Sequence, residues 1–291
     1  MIAGAGVGVA TASEDTKANC AEKMIFEVGG HRDPTGKAYD KGNAALPAGV
    51  SFTKVKYPAE ISPFPGDKKT LDESVEIGLT NIRKAVKDYR ANCANSHITI
   101  AGYSEGAIVA GDYLLELSKA NEVPHNQVNG VLYGDPRRPG NGGAGGIMGN
   151  IPSVLEGLTM KGQRPDFGDI PVKEICNKND GICHSENPIT NLLAFANGVA
   201  GYFQGDHGYD IKPHAVSGDG DQLIDQPPRV QYGAPLPIPS PTPYELLEGK
   251  LPAEVKKEVT KFVYAIKNVL PQEVWDKIRE IIDAIQGQGV K

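Results

Sequence analysis

The sequence predicts an α/β fold: a three-layer sandwich in which a central, mostly parallel sheet is covered by helices. Three observations carry that expectation. Apolar, β-branched runs of strand length alternate with helical patterns. Glycine and proline punctuate the ends of those runs. The run from His97 passes straight through Gly102-Tyr103-Ser104-Glu105-Gly106 into an amphipathic pattern. At 291 residues the chain accommodates one large domain and an appendage. Its net charge of −6, without any basic cluster, argues against nucleic acid as a partner. No apolar run reaches the length of a membrane-spanning helix.

Taken in order, residues 1–19 read as a leader. Val9-Ala10-Thr11-Ala12 supplies an Ala-x-Ala-like exit, as at the end of a secretory signal. Lys23 to Val28 is a buried strand closed by Gly29-Gly30, and the loop from His31 to Gly36 is dense in turn residues. Ser51 to Tyr57 alternates apolar and polar residues until Pro58 stops it. Thr70 and Glu73 have capping-box spacing, and Val75, Leu79, Ile82, Val86 and Tyr89 then recur at helical period. A strand from His97, a helix from about Ser104 to Ala120, a strand from Val128 to Tyr133 and a short strand from Lys173 to Asn177 follow. The glycine-rich stretch from Pro139 to Gly146 lacks the lysine and hydroxyl of a P-loop, so it reads as a loop and not as a phosphate cradle.

The main domain is expected to span residues 20–232. Residues 233–247 form a proline-dense spacer. Residues 248–291 contain two amphipathic helices beginning at Pro252 and Pro271, expected as a helical hairpin. Such a hairpin either docks on the main domain or offers a surface to the envelope, a membrane or a partner. A monomer is expected.

Chemistry centres on Ser104. A glycine-flanked serine between strand and helix is a nucleophile elbow, in which the helix N-terminus faces the developing oxyanion. Serine needs a base, and the base needs an orienting acid. In the chain order Ser, Asp, His, the acid is Asp180, inside Cys176-Asn177-Lys178-Asn179-Asp180-Gly181-Ile182-Cys183, with Asp135 as the rival. The base is His207, in a polar, glycine-flanked loop; His214 is the runner-up, and His184 sits too near Asp180 in sequence to serve both partners. Four cysteines fit an oxidising compartment and admit three pairings, of which the layout favours Cys20–Cys93 with Cys176–Cys183; four reduced thiols are the alternative. No cluster of metal-ligand spacing occurs, and no cofactor or metal is expected.

These residues carry a family resemblance. Cys93 ahead of Gly102-Tyr103-Ser104-Glu105-Gly106-Ala107, the cysteine-bracketed Asp180 and the late His207-Gly208-Tyr209 resemble the cutinase family of secreted serine esterases over about Cys20 to Tyr209. The chain is most similar there to the envelope cutinase-like proteins of mycolic-acid-containing actinobacteria. The stretches behind this are Val55 to Ile61, Gly106 to Asp112, and Gly157 to Met160 with Arg164-Pro165. The resemblance implies an α/β-hydrolase fold and lipase, phospholipase A or thioesterase activity on lipid or acyl esters. It further implies catalysis by Ser104, Asp180 and His207, an oxyanion hole from the Glu105 and His31 N–H groups, both disulfides, and a secreted or envelope location.

Two departures from the family pattern stand out. Glu105 replaces the usual glutamine and would set a carboxylate against the oxyanion unless it is turned away or paired. His31 replaces a Ser/Thr hydroxyl donor, a type of loss worth about 3–4 kcal/mol. An acyltransferase with the same triad and a hydrolase-fold binding protein that has lost activity are the competing readings.

Overall fold

The computed structural model describes residues 20–140, 144–151, 153, 155–188 and 190–235. The expected leader, most of the spacer and the C-terminal helices lie outside the described residues.

Six strands form one sheet: β1 (Lys23–Val28), β2 (Val50–Lys54), β3 (His97–Tyr103), β4 (Val128–Tyr133), β5 (Val172–Asn177) and β6 (Gly220–Ile224). Their order is β2-β1-β3-β4-β5-β6, and each neighbouring pair is parallel. The order reverses at β1, so the crevice beyond the carboxyl ends of β1 and β3 is the topological switch point where such sheets bind ligands. The helices are α1 (Asp40–Asn43), α2 (Leu71–Asn92), α3 (Glu105–Leu117) and α4 (Leu192–Phe203).

Strand pleating sends alternate residues to opposite faces. Met24, Phe26, Val28, Ile98 and Ile100 face one way and pack with Val75, Leu79 and Ile82 of α2 and Ile108, Val109 and Leu114 of α3. Ile25, Ala101, Val131 and Ile175 face the other way, against Tyr39 and Ile211. The capping box that starts α2 is fully made: Glu73 N–H donates to Thr70 Oγ1 at 3.2 Å, and Thr70 N–H donates to Glu73 Oε2 at 3.0 Å.

Both disulfides follow the favoured pairing. Cys20–Cys93 ties the entry of β1 to the end of α2, and Cys176–Cys183 closes the loop after β5. The expected strand from Ser51 to Tyr57 ends at Lys54 instead. Lys54 is opposite Glu27, near the end of β1, and only Val55 still bonds back, to the Glu27 carbonyl at 2.9 Å. Val55 and Tyr57 nevertheless remain in the core, which is why their alternation read as strand. Helix α3 stops at Leu117, three residues short of expectation, with Ser118 as its cap.

Candidate active site

Ser104 follows β3 directly and has φ 55° and ψ −122°. A non-glycine residue there stores about 1–3 kcal/mol of strain and persists only where its surroundings over-determine it. The Ser104 N–H donates to the Tyr133 carbonyl at 2.9 Å, and the Ser104 carbonyl accepts from Ala107 N–H at 2.8 Å. The flanking glycines permit the turn. A Cβ at Gly102 would lie 2.6 Å from Ala107 Cα, and one at Gly106 would collide with the Val28 and Gly29 carbonyls. The serine side chain is half-buried, at the carboxyl end of the sheet.

The structure brings Ser104, His207 and Asp180 into one line. His207 Nε2 is 2.8 Å from Ser104 Oγ, and His207 Nδ1 is 2.7 Å from Asp180 Oδ2. That pattern makes Nδ1 the donor to the carboxylate and Nε2 the acceptor facing the serine. Asp180 is fully buried; its Oδ1 accepts Ile182 N–H at 3.0 Å, and Tyr209 Oη donates to its Oδ2 at 2.6 Å. The disulfide holds this loop, with Cys183 Sγ 3.3 Å from Asp180 Oδ2.

The His207 loop is pinned on both sides. Asn177 Nδ2 donates to the carbonyls of Asp206 at 2.7 Å and Gly208 at 3.3 Å. Arg229 grips Asp206 through two bonds of 2.7 Å, and Tyr103 Oη donates to the His207 carbonyl at 2.9 Å. The Tyr103 ring stacks on the imidazole at 5.2 Å, with Tyr202 at 5.1 Å. The rival acid Asp135 is instead paired with Arg164, both fully buried. His184 is half-buried, and burial together with the Arg138 charge pushes its pKa down to about 4; His214 sits in a short 3₁₀ turn. His207, and neither of these, meets Ser104 Oγ.

Gly30 runs beside the serine: a Cβ on it would lie 3.0 Å from Ser104 Cβ. This brings the Gly30-His31 backbone alongside Ser104. The His31 ring is taken by Asp67, with Nε2 2.5 Å from Oδ2, and packs 5.6 Å from the Phe64 ring.

Glu105 answers the objection raised by its sequence position. Its side chain is buried and reaches α2, where Ser74 Oγ donates to Oε1 at 2.6 Å. Burial raises its pKa from 4.5 to about 8, the Ser74 bond opposes that rise, and the Asp67 and Glu60 charges add to it. Tyr57, also facing it, is held well above its ordinary range by burial and the Glu105 charge. At neutral pH Glu105 is therefore mostly uncharged.

The sign of this effect can be tested. Above about pH 8 Glu105 ionises, so ester hydrolysis is expected to decline there. Glu105→Gln, which cannot ionise, is expected to remove that decline in a kcat/KM profile run up to about pH 10. The same raised pKa makes a stability contribution that is complete below pH 4.5 and lost as pH rises through about 8. Urea denaturation of the variant should accordingly show a flatter pH dependence across that window.

Sequence reasoning missed Tyr209, Asn177, Tyr103 and Arg164 as parts of this site or its support. Each stands in a stretch the sequence singles out, Tyr103 beside Ser104, Asn177 beside Cys176, Arg164 before Pro165 and Tyr209 two residues after His207, but its role depends on contacts that spacing does not show. Among the described residues, no group of three or more His, Cys, Asp or Glu side chains is arranged to hold a metal ion.

An all-parallel sheet that turns from β3 into α3 through a strained serine, with histidine and buried aspartate behind it, is an α/β-hydrolase fold. Within that class the chain belongs to the PE-PPE domain family, whose model matches residues 48–234. It is 28% identical to the carboxylesterase Culp6 homolog of Corynebacterium glutamicum over 147 residues, which is 44% of this chain and 48% of that protein. It is 32% identical to the probable carboxylesterase Culp3 of Mycobacterium tuberculosis over 111 residues, 37% of each. The chain thus spans about half or less of the length of the curated relatives it matches. Among solved structures, a cutinase-like protein from Cryptococcus sp. aligns at 18% identity and TM-score 0.42, over 59% of this chain and 83% of that one. The catalytic core domain of an acetyl xylan esterase from Trichoderma reesei aligns at 18% identity and TM-score 0.41, over 64% and 95%.

Proposed function

We propose that this chain is a serine ester hydrolase that acts on lipid or other acyl esters through an acyl-enzyme. The observation that carries the reading is the line of hydrogen bonds from Asp180 through His207 to Ser104 Oγ, 2.7 and 2.8 Å long. Ser104 Oγ attacks the acyl carbon while His207 Nε2 takes its proton. The resulting oxyanion is bound by the backbone N–H groups of Glu105 and His31. His207 then returns the proton to the leaving alcohol, and the acyl-enzyme is resolved by water activated at the same nitrogen. Asp180 holds the imidazole and offsets its charge.

An apolar acyl chain suits the surroundings. Phe64, Tyr202 and Phe203 are exposed large hydrophobics; Phe64 packs on His31, and Tyr202 packs on His207. An oxidising, extracytoplasmic location agrees with the two disulfides. The two curated relatives are both named carboxylesterases, in keeping with the reaction class.

A fluorophosphonate probe tests the reading. Folded protein is expected to form one adduct, on Ser104, and to hydrolyse p-nitrophenyl esters in a chain-length series run beside phospholipids and thioesters. Absence of any adduct on folded protein would sink the enzyme reading and leave a hydrolase-fold binding protein.

A further inference from the structure

We propose that Tyr209 is a fourth, positioning member of the Ser104–His207–Asp180 array, setting how strongly Asp180 pulls on the imidazole proton. This rests on the serine-hydrolase reading above and adds a residue to it. Asp180 Oδ2 accepts two hydrogen bonds, one from His207 Nδ1 at 2.7 Å and one from Tyr209 Oη at 2.6 Å. The direction of the second bond is dictated. Tyr209 Oη lies 3.1 Å from the Asn177 N–H of β5, a group that can only donate. A carboxylate oxygen can only accept, so the single phenol proton goes to Asp180 Oδ2 at 2.6 Å; the disulfide sulfur of Cys183, 3.3 Å away, is the weaker acceptor. Two donor chains therefore converge on Asp180, one from Asn177 N–H through Tyr209 and the other from Ser104 through His207.

The phenol remains a donor throughout the working range, because burial and the Asp180 charge both push its ionisation well above that of free tyrosine. Its ring is fixed by Tyr133 at 6.0 Å, Tyr103 at 6.1 Å and the edge of the His207 imidazole at 6.1 Å. Few other titratable or charged groups face the imidazole. Tyr103 lies over it from β3, Tyr202 from α4 and Asp180 behind it. Arg32, exposed on the loop after β1, acts on Tyr202.

A carboxylate oxygen that shares its charge with a phenol holds an imidazolium less tightly. The histidine then gives up its proton to the leaving alcohol more readily and is free as a base at lower pH. Orientation does not depend on the phenol, because Ile182 N–H still anchors Asp180 Oδ1 at 3.0 Å. Removing the hydroxyl should consequently change electrostatics more than position.

The test is the pH dependence of kcat/KM for p-nitrophenyl ester hydrolysis. In Tyr209→Phe, which keeps the ring, the acidic limb is expected to move up by about half a unit or more. The plateau rate should fall by much less than the about 10⁴-fold that loss of the aspartate costs in a serine protease. Replacing Tyr209 by 3-fluorotyrosine makes the phenol a stronger donor and should move the limb the opposite way. An unmoved acidic limb in an active, folded Phe variant overturns the proposal, since a tyrosine that only packs would leave it in place. Should the Phe variant not fold, the fluorotyrosine protein decides: no downward shift rejects the role. Wild-type protein that takes no fluorophosphonate fails the underlying hydrolase reading instead, and this inference falls with it.

Discussion

Ser104→Ala is expected to lower ester hydrolysis by about 10⁶-fold, the scale on which loss of a triad serine is felt. A residual rate above the uncatalysed one is expected to survive, because an oxyanion hole and substrate binding do not depend on Oγ. Stability should barely change. The substitution deletes one hydroxyl and its 2.8 Å bond to His207, while alanine inherits the same strained φ of 55°. The loss of one such bond, about 1 kcal/mol, shifts the melting temperature by only a few degrees. Paired measurements of p-nitrophenyl ester turnover and thermal unfolding check both halves. Retained turnover would put the nucleophile elsewhere, and a large drop in melting temperature would make the activity loss a folding effect.

Arg164→Met is expected to have the opposite profile, destabilising the protein by about 3–5 kcal/mol through an uncompensated buried charge. The Arg164 side chain is fully buried, paired with a fully buried Asp135 and 3.3 Å from Asp112 Oδ1. It also donates to the Ala107 carbonyl at 3.3 Å, which links the first turn of α3 to the loop after β4. Glu174 lies 3.9 Å away with its pKa raised well above 4.5 by burial and by Asp135. After the substitution Asp135 keeps only the Arg137 N–H at 2.9 Å, which is too little to solvate a buried carboxylate. Urea denaturation reads the loss directly, and Asp135→Asn in the same chain should recover part of it. A single-variant change below about 1 kcal/mol would mean that the cluster contributes no more than a surface pair.

Much of this architecture is legible in the sequence because its determinants are local. Thr70 and Glu73 sit three residues apart and make their reciprocal bonds within one turn. β1, β3 and β4 announce themselves as apolar, β-branched runs because they are buried on both faces. The cysteine loop brackets Asp180 within eight residues.

Helix α4 went unread for an equally physical reason. Leu192 to Phe203 is apolar nearly all round and carries Gly198 and Gly201, which weaken helix propensity. Those glycines are there for tertiary contact, since a Cβ at Gly198 would lie 2.7 Å from Gly181 Cα. β6 is five residues long, mostly exposed and at the sheet edge, so it lacks the apolar alternation that marks a strand.

The sequence by itself determined the glycine-flanked strand-to-helix turn at Ser104, the order Ser104, Asp180, His207 along the chain, and the cysteine layout around Asp180. These depend on residue types at short spacing. Only the tertiary structure decided that His207, 103 positions from Ser104, meets its Oγ while Asp135 is claimed by Arg164. The charge state of Glu105 belongs with these, being set by burial and by Ser74 from another helix. Desolvation and long-range pairing act between groups that have no fixed spacing along the chain, and the fold alone brings those groups together.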